Sequence, residues 1–103
     1  MKQINFSYNW NNKIDCKAFT TLRLSNRNKY KIGELYQIYL KKTFVKNGII
    51  VDIKVLSLNE INDYIAFLDT GYNRDECLTI IKRMYKNVDF SKTKLDFILI
   101  KEE

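Results

Sequence analysis

Lys17-Ala18-Phe19-Thr20-Thr21-Leu22-Arg23-Leu24 decides how this chain is read. Branched and aromatic side chains fit a pleated surface, so residues 18–24 read as a strand. Side chains alternate along a strand, which places Thr21 and Arg23 on one face and Thr20 and Leu22 on the other. With Leu22 and Leu24 turned toward a core, the Thr21/Arg23 face is left to meet something polar. A hydroxyl beside a guanidinium suits an anion or the edge of a nucleobase. An arginine in an apolar strand needs a partner or an open face, which makes Arg23 a candidate binding residue.

Upstream, Ile4, Phe6, Tyr8 and Trp10 alternate with polar residues, the period of a strand over 4–10, and Asn11-Asn12-Lys13 reads as a turn. Downstream, Ser25 to Lys31 is a polar loop in which Arg27, Lys29 and Lys31 are candidate phosphate contacts. Gly33-Glu34 leads into a strand over 35–40. Lys46-Asn47-Gly48 predicts a hairpin turn, because Asn-Gly tolerates positive φ, and a strand over 49–56 follows. Ser57 and Glu60 form a capping-box pair ahead of the stripe Ile61, Tyr64, Ile65 and Leu68, with Gly71 as a glycine stop. Asn73 and Glu76 repeat the capping pattern before Cys77, Ile80, Ile81, Met84 and Tyr85, and residues 95–100 form a closing strand. This order predicts an α+β fold, a small curved sheet or barrel of about five to six strands capped by two helices.

At 103 residues a single domain spanning 1–103 is expected. No apolar run approaches the roughly 20 residues of a membrane span, and the first residues lack the apolar core of a secretory signal. A cytoplasmic location without membrane association is the expectation. Cys16 and Cys77 are the only cysteines and histidine is absent, so neither a metal site nor a cofactor is expected. The lack of histidine excludes Ser-His-Asp and Cys-His catalysis within one chain and leaves acid–base work to Lys, Asp, Glu, Tyr or a thiol. The net charge of +6 is uneven: residues 1–57 carry eleven Lys and Arg against three acids, and residues 58–103 carry seven against nine. A basic half interleaved with aromatics is the footprint of a polyanion binder.

Four features in order resemble the ASCH (activating-signal-cointegrator homology) group of the PUA-like fold. They are Lys17 with Thr21-Leu22-Arg23, Lys31-Ile32-Gly33-Glu34 leading into Tyr36–Tyr39, Val51-Asp52-Ile53, and Leu68-Asp69-Thr70-Gly71-Tyr72 before the Asp75-Glu76 helix. The resemblance covers most of residues 13–101. It implies a pseudo-barrel whose cleft is rimmed by the Lys–Thr–Arg strand and the acidic segment, and which binds RNA or modified nucleobases. Small members resemble amidohydrolases that deacetylate N4-acetylcytidine with a lysine, a threonine and a glutamate. Here Lys17 matches the lysine, Thr20 or Thr21 the threonine, and Asp69 lies near the acid.

The leading expectation is therefore an RNA- or modified-nucleoside-binding module using Lys17, Thr21, Arg23, Arg27, Lys29, Lys31, Asp69 and Tyr72. The alternative is a small amidohydrolase in which Lys17, Thr20, Thr21 and Asp69 are catalytic. A third class is a protein-interaction module with a vestigial cleft. Lys17, Thr21 or Thr20, Arg23 and Asp69 are expected to converge on one concave surface.

Overall fold

The computed structural model describes residues 2–103. Five strands, β1 (Lys2–Phe6), β2 (Ala18–Leu24), β3 (Leu35–Leu40), β4 (Thr43–Leu56) and β5 (Leu95–Glu102), form one mixed sheet in the order β1-β3-β4-β5-β2. Two helices, α1 (Asp63–Thr70) and α2 (Arg74–Met84), and two short 3-10 segments, Trp10–Asp15 and Leu58–Glu60, complete an α+β fold. No helix among the described residues is long and apolar enough to cross a membrane.

β1 and β2 occupy opposite edges of the sheet, yet Phe6 and Phe19 meet edge to face at 6.0 Å between ring centroids. The sheet has therefore curled into a half-barrel, the curved sheet that the PUA-like resemblance implies. Register shifts at Ile38/Tyr39 and Ile50/Asp52 mark bulges along the fourteen-residue β4, and such bulges bend and twist a strand. The segment Trp10–Asp15 bridges the seam between the two edges, with Ile14 anchored in the core.

Two cores follow from strand alternation. Phe19 of β2 and Ile98 and Ile100 of β5 point into the curl, where they join Ile4, Tyr36 and Ile38. Leu22 and Leu95 point outward against Ile61, Ala66, Cys77 and Ile81 beneath the helices. Because both faces of β2 are covered, Phe19, Thr20, Thr21 and Leu22 are all buried. The alternation expected from sequence holds, but neither face is left open along its length.

Several boundaries differ from those read in the sequence, each for a physical reason. β1 stops at Phe6 instead of running to Trp10, because its partner β3 ends opposite it at Leu40. The hairpin between β3 and β4 turns at Lys41-Lys42, with Leu40 paired to Thr43, rather than at Asn47-Gly48. Lys41 and Lys42 both have positive φ, 50° and 68°, in a two-residue turn. Gly48 instead lies inside β4, where a Cβ would stand 2.7 Å from Ile100 Cγ2. The glycine serves close packing, not turning. The Ser57–Glu60 capping box is present, but it closes the 3-10 turn, and the cap of α1 is Asn62, whose side chain accepts from the Ile65 amide at 2.9 Å. Ile61 thus precedes the helix, and the buried face of α1 is Ala66, Asp69 and Thr70, while Tyr64 and Leu68 are exposed. Gly71 ends α1 in the left-handed conformation as expected, and Asn73 caps α2 by accepting from the Glu76 amide.

Gly48→Ala should destabilise the fold by roughly 1–3 kcal/mol, because Ile100 is buried and stiff about χ1 and cannot swing aside. Urea unfolding of the variant checks this. An unchanged midpoint would mean that the strand relaxes around the added methyl.

Candidate functional site

A cavity of about 570 Å³ opens at the seam between the ends of β1 and β2, under the last turn of α1 and against α2. Its walls are largely apolar and aromatic, with Phe6, Tyr8 and Trp10 on one side and Ile80, Met84 and Tyr85 of α2 on the other. The stripe read on α2 is thus divided. Cys77 and Ile81 are buried, whereas Ile80 and Tyr85 are only partly covered and Met84 is exposed.

The polar floor is built around a lysine that the sequence reading took as part of a turn. Asn11 and Asn12 adopt left-handed φ of 58° and 52°, a conformation that short polar side chains tolerate. The Asn9 side chain accepts from the Ile14 amide at 2.9 Å, closing the segment on itself. These turns direct Lys13 inward to 5% exposure. Its Nζ donates to Asp69 Oδ1 at 3.0 Å and to the Asp69 carbonyl at 2.7 Å. The carbonyl belongs to the last turn of α1, where free acceptors accumulate and a cation is favoured. Thr20 Oγ1 donates to the same Oδ1 at 3.2 Å, so three elements meet at one carboxylate oxygen. Asp69 Oδ2 has no hydrogen-bond partner among the described residues, and Asp69 lines the cavity.

Arg23 reaches the cavity from β2. Its Nε donates to Thr21 Oγ1 at 2.9 Å, and its Cζ stands 4.5 Å from the Phe6 ring centroid. Lys13 Nζ lies 5.7 Å from the same centroid. One aromatic ring thereby faces two cations, an arrangement its quadrupole favours. Burial pushes the Lys13 ammonium below its ordinary value, Asp69 pulls it back, and the nearby Arg23 charge pushes it further down. Burial raises the Tyr85 hydroxyl, so it remains a neutral donor at neutral pH. The Cys77 thiol is pushed up to about 11, chiefly by burial and then by Asp69, which leaves it unreactive.

Of the residues singled out in the sequence, Thr21, Arg23 and Asp69 line the cavity together, and Thr20 contacts it through Asp69. Lys17 does not converge with them. It is exposed at the entry to β2, where its carbonyl accepts from the Glu102 amide at 2.8 Å. The lysine that meets Thr20 at Asp69 is Lys13 instead. A lysine beside two asparagines is ordinarily solvated, and nothing in one sequence distinguishes this one. Arg27, Lys29 and Lys31 are exposed on the loop before β3 and do not line the cavity. Tyr72 packs edge-on against Trp10 at 6.0 Å and borders a neighbouring hollow with Arg83 rather than the cavity itself. Neither Tyr36 nor Tyr39 lines the cavity. The Tyr36 hydroxyl is taken up by the Lys31 amide and the Lys29 carbonyl. Sequence reasoning missed Lys13, Lys41, Lys42 and Tyr8, and it read Trp10 only as the end of a strand.

The fold has a solved counterpart. The chain is similar to protein EF3133 from Enterococcus faecalis V583, whose crystal structure is described under the family name DUF984. The TM-score is 0.58 at 9% identity, over 100% of this chain and 80% of that one. At that identity the likeness is one of fold. No family model and no curated protein matches the sequence.

Asp69→Asn should cost about 3 kcal/mol or more, since it leaves the Lys13 cation buried without its counter-charge. Replacing both residues together, Lys13→Met with Asp69→Leu, should recover most of that loss. A double-mutant cycle of Lys13→Met, Asp69→Leu and the two together, by chemical denaturation, checks the pair. Additive losses would contradict a direct interaction.

Proposed function

We propose that this chain is an ASCH-like, PUA-like binding domain that takes one nucleobase into the seam cavity, either as a modified nucleoside or displayed by RNA. The observation that carries the reading is the polar cluster set in an otherwise apolar and aromatic hollow. Its volume of about 570 Å³ falls within the range of roughly 300–1,000 Å³ typical of small-ligand sites. The free Asp69 oxygen suits an exocyclic amine, as carboxylates pair with the N4 amino group of cytosine. Arg23 supplies donors for the acceptor edge of the base, and Trp10 and Tyr8 offer faces on which a base stacks. Together these favour a cytosine-type edge over a uracil-type edge.

An amidohydrolase acting on N4-acetylcytidine-type nucleosides is the second reading, favoured by the lowered proton affinity of Lys13. A general base must lie within hydrogen-bond reach of the proton it takes. Among the described residues Lys13 Nζ bonds only to Asp69, while the Thr21 hydroxyl is engaged by Arg23 and that of Thr20 by Asp69. This arrangement supports holding a ligand better than activating a threonine, and binding without turnover is the preferred reading.

Calorimetric titration with cytidine, N4-acetylcytidine and uridine tests it, with emission from Trp10, the sole tryptophan, reporting on the cavity. The expected result is saturable binding of the cytidines above uridine, weakened on the order of tenfold in Arg23→Gln. Absence of heat and emission change with all three would remove the proposal. Chromatography of the N4-acetylcytidine mixture should show no cytidine formed, and release that disappears in Lys13→Met would replace the binding reading with the enzymatic one.

A further inference from the structure

The base site uses Lys13, Asp69, Thr21 and Arg23, but it leaves Lys41 and Lys42 unexplained. Both line the same cavity, although they lie 18 or more residues from any other cationic lining residue in sequence. They are the two central residues of the β3–β4 hairpin turn, each with positive φ. Asn-Gly is the natural choice for such a turn, and two lysines are a strained one. The turn is fixed to the cavity wall, because the Lys41 amide donates to the Phe6 carbonyl at 2.9 Å and Lys41 Nζ stands 5.9 Å from the Tyr8 ring.

Charge at the cavity is correspondingly unbalanced. Among the described residues four cations and a single carboxylate line it, and that carboxylate is already paired with Lys13. The other ion pairs of the described residues are Lys2–Glu34, Lys46–Glu102 and Arg74–Asp75, so none engages Arg23, Lys41 or Lys42. A neutral nucleoside leaves these three cations without an ion-pair partner, although Asp96 lies opposite Arg23 on the neighbouring strand. We propose that Arg23 and the Lys41-Lys42 turn hold a phosphate attached to the bound nucleoside, so that the ligand is a nucleoside phosphate and not a free nucleoside. The proposal rests on the base-site reading and specifies its substrate class. A free nucleotide presents a phosphate monoester and an RNA strand a phosphodiester, and both offer anionic oxygens to these cations.

The test compares cytidine, cytidine 3′- and 5′-monophosphate and a cytidine-containing trinucleotide by calorimetry in phosphate-free buffer, at low and at moderate salt. At least one phosphorylated ligand should bind on the order of tenfold more tightly than cytidine at low salt, and the advantage should shrink as salt rises. In the double variant Lys41→Asn/Lys42→Gly that advantage should fall severalfold. This variant installs preferred turn chemistry and should melt no lower than the parent, so loss of the advantage cannot be ascribed to unfolding. A trinucleotide stronger than both monophosphates assigns the phosphate to RNA, the reverse assigns it to a free nucleotide, and either supports the proposal. Cytidine binding with no gain from any phosphate overturns this inference and leaves the base site standing. Binding by none of the ligands overturns both.

Discussion

The buried ion pair between Lys13 and Asp69 is the constraint on which the arrangement of the cavity depends. It ties the segment bridging the sheet edges to the last turn of α1, and Thr20 adds β2 to the same carboxylate oxygen. Packing reinforces the join, since a Cβ on Gly71 would stand 3.0 Å from Asn11 Cγ, tight enough that the Asn11 side chain would have to shift, and the φ of 80° there strains any other residue. Such a pair is a poor device for stability alone. Desolvating two charges offsets most of their attraction, and apolar side chains of similar volume hold two elements together at least as firmly. What the pair adds is a carboxylate oxygen and a cation held at fixed positions beneath an apolar hollow.

That hollow exists because the sheet curls without closing. β1 and β2 come near enough for Phe6 to touch Phe19, yet they share no ladder, and the gap is filled by a six-residue segment rather than by a strand. The parallel pairing of β1 with β3 has a second consequence. Phe6 and Leu40 end their strands side by side, so the chain leaving β1 and the turn leaving β3 emerge at one corner. Tyr8 and Lys41 meet there. An antiparallel neighbour would have carried the hairpin turn to the opposite end of β1.

How much of this was legible in the sequence depends on how local each signal was. β2 was readable to its boundaries because alternation and branched residues act within the strand itself. Gly71 and the Asn73 cap were readable for the same reason. Asn47-Gly48 misled because glycine answers two needs, positive φ and close approach, and only the position of Ile100 shows which applies. The buried face of α1 misled because Asp69 and Thr70 are polar. Their burial is compensated by Lys13 and by the Thr70 hydroxyl donating to the Ala66 carbonyl, partners that periodicity does not register. For the site, Thr21, Arg23 and Asp69 were legible as chemistry awaiting a partner. Lys13 was not, because its burial arises from two left-handed asparagines and a contact 56 residues away.

The uneven charge of the sequence acquires a spatial meaning in this fold. Every cation lining the cavity, Lys13, Arg23, Lys41 and Lys42, comes from the basic first half of the chain, and the lone carboxylate, Asp69, comes from the acidic second half. The sheet and its seam thus form a cationic wall, and α2 faces it with Ile80, Ile81 and Met84. An apolar wall opposite the charges lowers the local dielectric and strengthens each interaction those charges make. The same apolar wall makes an unpaired charge costlier for the half-buried Arg23 than at an open surface, whereas Lys41 and Lys42 stand exposed at the rim. Arg27, Lys29 and Lys31 carry like charge on an exposed loop that does not border the cavity. Net charge alone could not separate these two groups of cations; the curl of the sheet does.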